Sequence, residues 1–146
     1  MNSETTEKRI VQIYYGNGKG KTTAAMGQSI RAASKGLRTI IIQFLKGKDS
    51  QEFSYLKKLE PDIKLFRFEK ADEYYGDLLP EEQAEERKNI INGFNFAKKV
   101  LNAGECDMLV LDEVLGLVDL NIITIQDIID LINICLLYTS PSPRDT

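Results

Sequence analysis

Short apolar runs alternate with stretches of helical spacing along most of the chain. After a polar start, MNSETTEKR, the run RIVQIYY is β-branched and aromatic, the composition of a buried strand. A glycine-rich turn follows. From Thr22 to Ser34 the residues TTAAMGQSIRAAS predict a helix with Ala25, Met26, Ser29, Ile30 and Ala33 on one stripe and Gly36 as its C-cap. RTIIIQF predicts a strand buried on both faces, as in a parallel sheet covered by helices. SQEFSYLKKLE predicts a short helix closed by Pro61, and IKLFRFE a strand nearer an edge, because charges alternate with its apolar residues. ADEYYGDL is a predicted loop. Pro80 suits the first position of a helix running to Ala103, with Glu81, Glu82, Glu85 and Glu86 at its positive end and Gly104 as its stop. CDMLVLDEV, the most hydrophobic run, predicts a strand, and TIQDIIDLINI a last helix whose Thr124 and Asp127 are spaced as a capping box.

Strands and helices in this order predict an α/β fold, a parallel sheet wound right-handedly and covered by helices. Ligands of such sheets bind at the carboxyl ends of the strands, where the glycine turn falls. The domain is expected over residues 10–134, after a disordered stretch 1–9. From Cys135 the text changes to CLLYTSPSPRDT, which resembles a translated sequencing adapter. Residues 135–146 are therefore expected to be a non-native tail that cuts the last helix at Ile134 and leaves the domain truncated on its C-terminal side.

Composition narrows the function. At 146 residues, 42% apolar and 28% charged, the chain suits one domain with a real core. A net charge of −3 without a long basic stripe excludes a general nucleic-acid binder, so any bound anion must be held locally. No run approaches the ~18 apolar residues of a membrane span and the polar start is not a secretory signal, so a cytoplasmic protein is expected. Cys106 and Cys135 share no motif spacing, and neither a disulfide nor a metal site is expected of them. Histidine is absent, which leaves the chemistry to carboxylates, lysines and hydroxyls, or to a cofactor.

The turn GNGKGKTT matches the end of the Walker A pattern at Gly20, Lys21 and Thr22, while Tyr15 stands where that pattern has its first glycine. Gly16, Gly18 and Gly20 let backbone N–H groups turn inward as an anion nest that opens on a helix N-terminus. Gly16, Asn17, Gly18, Lys19, Gly20, Lys21, Thr22 and Thr23 are the candidate nucleotide-binding residues. Lys21 would contact phosphate oxygens, Lys19 would add a second charge, and the Thr22 hydroxyl would reach Mg2+. Walker B logic needs an acidic residue at the end of a neighbouring apolar strand, and MLVLDEV supplies Asp112 and Glu113, able to hold Mg2+ or Mn2+ directly or through water. Gln43, Phe44, Lys46 and Gly47 leave the second strand at the same edge, either as pocket residues or as a plain strand exit. Tyr74 and Tyr75 form either an aromatic lid or a staple of the loop onto the sheet. PEEQAEERKN reads as a solvated helix face. These residues suit a P-loop ATPase or phosphotransferase, or a non-catalytic ATP-binding module, as well as a transferase.

GNGKGKTTAAMGQSIRAASKG, IIIQFLKG and LVLDEV together resemble the P-loop corrinoid adenosyltransferases, which act on cob(I)alamin or cob(I)yrinic acid a,c-diamide in the cobalamin pathway. The tight loop is that family's own form. The resemblance implies attack of a Co(I) corrinoid on the 5′ carbon of ATP with loss of triphosphate, ATP and a reduced corrinoid as substrates, Mg2+ or Mn2+ as cofactor, a flavoprotein reductant and a homodimer. It implies a P-loop NTPase-like, RecA-type sheet with helices on both faces, a triphosphate cradle from Gly16 to Thr22 charged by Lys21, and Thr22 and Glu113 on the metal, so Lys21 and Glu113 are the expected catalytic residues. Asp112 from the strand end is a further candidate metal ligand, and Gln43, Phe44, Lys46, Tyr74 and Tyr75 are the candidates for the corrinoid side. The family's Gly-Phe-Thr-Trp stretch is not found, and FEKADEYYGDL takes its place. The family also continues past Ile134, without which one side of the first strand lacks a neighbour.

Overall fold

The computed structural model describes residues 9–16, 19–45 and 55–139; for 19–22 and 137–139 the backbone alone is described. Four strands, β1 (Ile10–Tyr14), β2 (Thr39–Gln43), β3 (Ile63–Phe66) and β4 (Met108–Asp112), pair in parallel in the order β1-β4-β2-β3. Helices α1 (Lys19–Ser34), α2 (Pro80–Ala103), α3 (Val114–Asp119) and α4 (Ile125–Thr139) accompany them. Alternate residues of a strand face opposite sides of its sheet. Accordingly Ile40, Ile42, Leu109 and Leu111 join a core with α2, α3 and α4, whereas Ile41, Met108 and Val110 join a second one with Ala25 and Ala32 of α1. Both faces of β2 and β4 are covered, which is why their sequences are unbroken apolar runs.

Among the described residues β3 pairs with β2 alone, and it exposes Lys64 between buried Ile63 and Leu65, the edge position expected of it. β1 pairs, among the described residues, with β4 alone. α1 begins at Lys19, three residues before the expected start, and buries Ala25, Ser29 and Ala32. Ile30, expected on that stripe, is instead 48% exposed. The buried line follows the i, i+4, i+7 spacing, and Ile30 stands about 100° around the helix from Ser29. Small side chains let α1 lie close to the sheet, and the Ser29 hydroxyl is satisfied by donating to the Ala25 carbonyl at 2.8 Å.

α2 starts at Pro80 and ends at a left-handed Gly104, as its sequence predicts. The Leu79 N–H donates to Glu82 Oε1 at 2.9 Å, which closes the helix start. The short helix α3 is a departure: the strand expected to run through Val114 stops at Asp112, and Val114 and Leu117 are buried at helical spacing.

α4 carries the expected capping box. The Thr124 N–H donates to Asp127 Oδ2 at 2.8 Å and the Asp127 N–H to Thr124 Oγ1 at 3.1 Å. The backbone bond from Thr124 holds the Asp127 carboxyl below its ordinary range. A lowered native pKa contributes stability above the unfolded value and loses it as pH falls through the native one. Asp127→Ala is therefore expected to lower the melting temperature at neutral pH, the difference from the unsubstituted chain closing as pH drops below the ordinary aspartate range. Calorimetric scans between neutral and acidic pH check this.

The break expected at Ile134 does not occur. α4 continues to Thr139, because CLLYT contains no helix breaker, the next proline is Pro141, and Cys135 extends the buried side one turn beyond Leu131. The Cys135 thiol donates to the Arg9 carbonyl at 3.2 Å, and Arg9 Nη1 donates to the Leu101 carbonyl at 2.8 Å. Residue 9, assigned to a disordered start, is thus fixed at the base of the sheet; residues 1–8 and 140–146 lie outside the described residues. Burial pushes the Cys106 thiol up to about 12, which suits an unreactive core thiol. Among the described residues no helix is long and apolar enough to cross a membrane.

Candidate functional site

Parallel pairing brings three strand ends level. Tyr14 of β1 and Gln43 of β2 both lie in register with Asp112 of β4. The chain leaves β1 into Gly16, whose φ of +112° is a conformation that side chains rarely adopt, and α1 is already helical at Lys19. The glycine-rich stretch therefore joins a strand end to a helix N-terminus, one strand away from the acidic pair. Asp112 is 3% exposed, and Gln43 Nε2 donates to its Oδ2 at 3.3 Å. Backbone bonds stitch the pair to both neighbours: the Glu113 N–H donates to the Tyr14 carbonyl at 2.8 Å, and the Phe44 N–H to the Asp112 carbonyl at 2.9 Å.

Glu113 has φ +66° and ψ 22°, the left-handed region. A non-glycine residue there costs about 1–3 kcal/mol and persists only where its surroundings impose it. Here they do. Its N–H is held by β1, and its carbonyl accepts from the Gly116 N–H at 3.1 Å. A β carbon on Gly116 would lie 2.5 Å from Leu45 Cδ1 and 3.8 Å from Glu113 Oε1, so the bare glycine leaves room for Leu45 on one side and brings the helix close to the glutamate carboxylate. Leu45 is itself left-handed at φ +51°, and its N–H donates to Glu69 Oε1 at 2.9 Å.

Tyr15 crosses from the end of β1 to the end of α3, its hydroxyl donating to Asp119 Oδ2 at 2.9 Å. That hydrogen bond is the main cause that raises the phenol's pKa above its ordinary value, and the charge of Glu113 adds to it.

Asp112 and Glu113 present hard carboxylate oxygens, and Thr22 belongs to the first turn of α1, a donor set that suits Mg2+ or Mn2+. Among the described residues no cluster of three or more His, Cys, Asp or Glu could hold a metal. A cation here would thus share its shell with water and phosphate oxygens, which is the usual habit of Mg2+.

The structure brings Gly16, Gln43, Asp112 and Glu113 to one edge. The backbones of Lys19, Gly20, Lys21 and Thr22 form the first turn of α1, and Thr23 is exposed on it. Asn17, Gly18, Lys46 and Gly47 lie outside the described residues. Phe44 is corrected: expected at the pocket, it is 1% exposed and packed in the core against α2 near Gly93. Strand alternation explains this, since Phe44 continues the Ile40–Ile42 face. The two tyrosines separate. Tyr75 packs on the core, while Tyr74 is 57% exposed.

Sequence reasoning missed Asp119, Glu69 and Glu86. Glu86 carried a readable signal: it lies on the stripe Glu86, Ile90, Gly93, Phe94, Ala97, Val100, Leu101, and a charge on a buried helical stripe has to be satisfied by something. Asp119 and Glu69 had none, because their partners are distant in sequence.

Fold and site together define a P-loop-like α/β protein, with a tight glycine turn beside an acidic strand end. The family model for ATP:corrinoid adenosyltransferase BtuR/CobO/CobP matches residues 7–135, and the chain belongs to this family. It is 28% identical over 127 residues to the corrinoid adenosyltransferase of Escherichia coli strain K12, an alignment that covers 87% of this chain and 62% of that relative. To the corrinoid adenosyltransferase CobA of Salmonella typhimurium it is 49% identical over 41 residues, 28% of this chain and 21% of the relative. To that of Pseudomonas aeruginosa it is 31% identical over 58 residues, 39% and 29% of the two chains. The chain thus spans less than two thirds of the length of the Escherichia coli relative.

Proposed function

We propose that residues 10–134 form the nucleotide-holding unit of an ATP:corrinoid adenosyltransferase, which moves the 5′-deoxyadenosyl group of ATP to the Co(I) of cobalamin or of cobyrinic acid a,c-diamide. The observation that carries this is the register of Tyr14, Asp112 and Gln43, which puts a glycine turn and two carboxylates side by side at the ligand-binding edge of a parallel sheet. Membership of the corrinoid adenosyltransferase family supports this chemistry for that edge.

In this reaction the Co(I) electron pair forms a bond to the 5′ carbon, the carbon–oxygen bond to the triphosphate breaks, and the departing oxygen keeps its electrons. Reduced cobalt is the nucleophile, so the protein needs no general base, in keeping with a chain that has no histidine. Its task is to orient ATP and stabilise the charge growing on the leaving group. Inward-turned amides of Gly16, Asn17, Gly18, Lys19 and Gly20 would cradle the triphosphate at the positive end of α1, with the Lys21 ammonium on its oxygens and Thr23 beside them. Thr22, Asp112 and Glu113 would hold Mg2+ or Mn2+, which supplies further positive charge to the triphosphate. Gln43 keeps Asp112 oriented through its 3.3 Å hydrogen bond. Lys46, Tyr74 and Tyr75 belong to segments on the corrinoid side, with a flavoprotein as electron donor and a second copy of the chain as partner, in the cytoplasm.

Incubation with ATP, Mg2+ and a chemically reduced corrinoid is expected to yield inorganic triphosphate and a light-sensitive adenosylcorrinoid, read by chromatography and by the change in absorbance on illumination. ADP and phosphate as the products would replace this reading with phosphoryl transfer. Tight ATP binding without any product would replace it with a nucleotide-binding module.

A further inference from the structure

Two carboxylates that the proposed reaction does not use tie down the segment leaving β3. Glu86, 6% exposed on the buried side of α2, accepts from the Lys70 N–H at 2.9 Å, from the Ala71 N–H at 3.1 Å and from Asn89 Nδ2 at 2.8 Å. A buried carboxylate is costly unless its oxygens are filled, and these three donors fill them. Two consecutive amides bound to the two oxygens of one carboxylate fix that backbone in position and direction. Five residues on, Gln83 Nε2 donates to the Tyr75 carbonyl at 2.9 Å, and the Tyr75 ring rests on the core. Between these anchors Asp72, Glu73 and Tyr74 are exposed. The same segment reaches the strand ends directly, since Glu69 Oε1 accepts from the Leu45 N–H and Leu45 fills the space beside Gly116, three residues after Glu113.

The strand order bears on which substrate would meet this segment. β3 lies three strand spacings from β1, roughly 14 Å away. A triphosphate held by the turn after β1 would lie about that far from the segment, which leaves the segment to the substrate that the 5′ carbon of ATP has to meet. We propose that Glu86 is a positioning residue for the corrinoid: by clamping Lys70 and Ala71 it holds the exposed 72–74 stretch against the second substrate, and Glu69 carries the same restraint to Leu45. This rests on the adenosyl-transfer reading above.

Glu86→Gln keeps the size of the side chain but turns one acceptor into a donor facing an N–H. Amide hydrogen exchange on the whole chain is expected to speed up at Lys70 and Ala71 by at least about tenfold, with β4 and the rest of α2 unchanged. Equilibrium dialysis with hydroxocobalamin is expected to show binding weakened by about tenfold, while ATP affinity by calorimetry stays within about twofold. Glu69→Ala, at a half-buried site, provides a variant less exposed to folding failure; it is expected to speed exchange at Leu45 and to weaken hydroxocobalamin in the same direction. Unchanged exchange at Lys70 and Ala71, exchange raised throughout the molecule, or equal losses for both ligands would each overturn the proposal. Failure of the unsubstituted chain to bind hydroxocobalamin, with ATP still bound, would instead sink the adenosyl-transfer reading, and exchange at Lys70 and Ala71 would still decide whether Glu86 is the clamp.

Discussion

Lys21→Ala is expected to weaken binding of ATP in the presence of Mg2+ by about 100-fold or more, measured by calorimetry at fixed ionic strength. The backbone of Lys21 lies in the first turn of α1, where the helix dipole and unpaired N–H groups already favour an anion. Those contributions survive the substitution. What is lost is the ammonium and its charge-assisted hydrogen bonds to phosphate, each worth about 1.5–3 kcal/mol. Lys35→Ala is the matched control, because Lys35 is exposed just beyond the other end of the same helix and changes net charge identically. Equal, small losses for the two variants would mean that affinity follows overall charge, and the assignment of the glycine turn would fall. A large loss confined to Lys21 locates the triphosphate at the turn.

The parts of this candidate site that were legible in the sequence are those set by local chemistry. The glycine-rich stretch after an apolar run marks the passage from strand to helix, and Asp112–Glu113 after MLVLD announces a strand end. Continuous burial of TIIIQ and MLVLD was equally plain, because a strand covered on both faces has no polar side. Features that depend on tertiary pairing stayed hidden. VLGLV after Glu113 looks like more strand until β1 captures the Glu113 N–H and turns the chain left-handed. Phe44 follows Gln43 to the same edge, yet alternation sends the two side chains to different sides, one to Asp112 and one to the core. The acidic start of α2 resembles any solvated face, and although Glu86 falls on the buried stripe, the donors that fill its carboxylate depend on where the segment after β3 comes to rest.

Leu111→Ala is expected to destabilise the chain by about 3 kcal/mol, within the 2–5 kcal/mol usual for such a truncation, and to lower its melting temperature by roughly 10 °C. Leu111 is fully buried in the core shared with α2, α3 and α4, and it lies in register with Ile13 of β1 and Ile42 of β2. The row Ile13, Leu111, Ile42 sits one residue below the row Tyr14, Asp112, Gln43, so the cavity would open directly beneath the site. Ile129→Ala is the comparison: on α4 it is largely exposed, and its truncation is expected to cost less than about 1 kcal/mol. Urea titrations of both variants check this, with an unchanged slope showing that the midpoint shift reports stability. The contrast follows from burial rather than from hydrophobicity, since both substitutions remove aliphatic carbon, but Leu111 is enclosed by helices over a central strand while Ile129 is exposed. In the order β1-β4-β2-β3 the row that supplies the folding energy is also the row that keeps the glycine turn, the acidic pair and Gln43 level, so ATP affinity is expected to decline with Leu111→Ala even though no atom of that side chain belongs to the site.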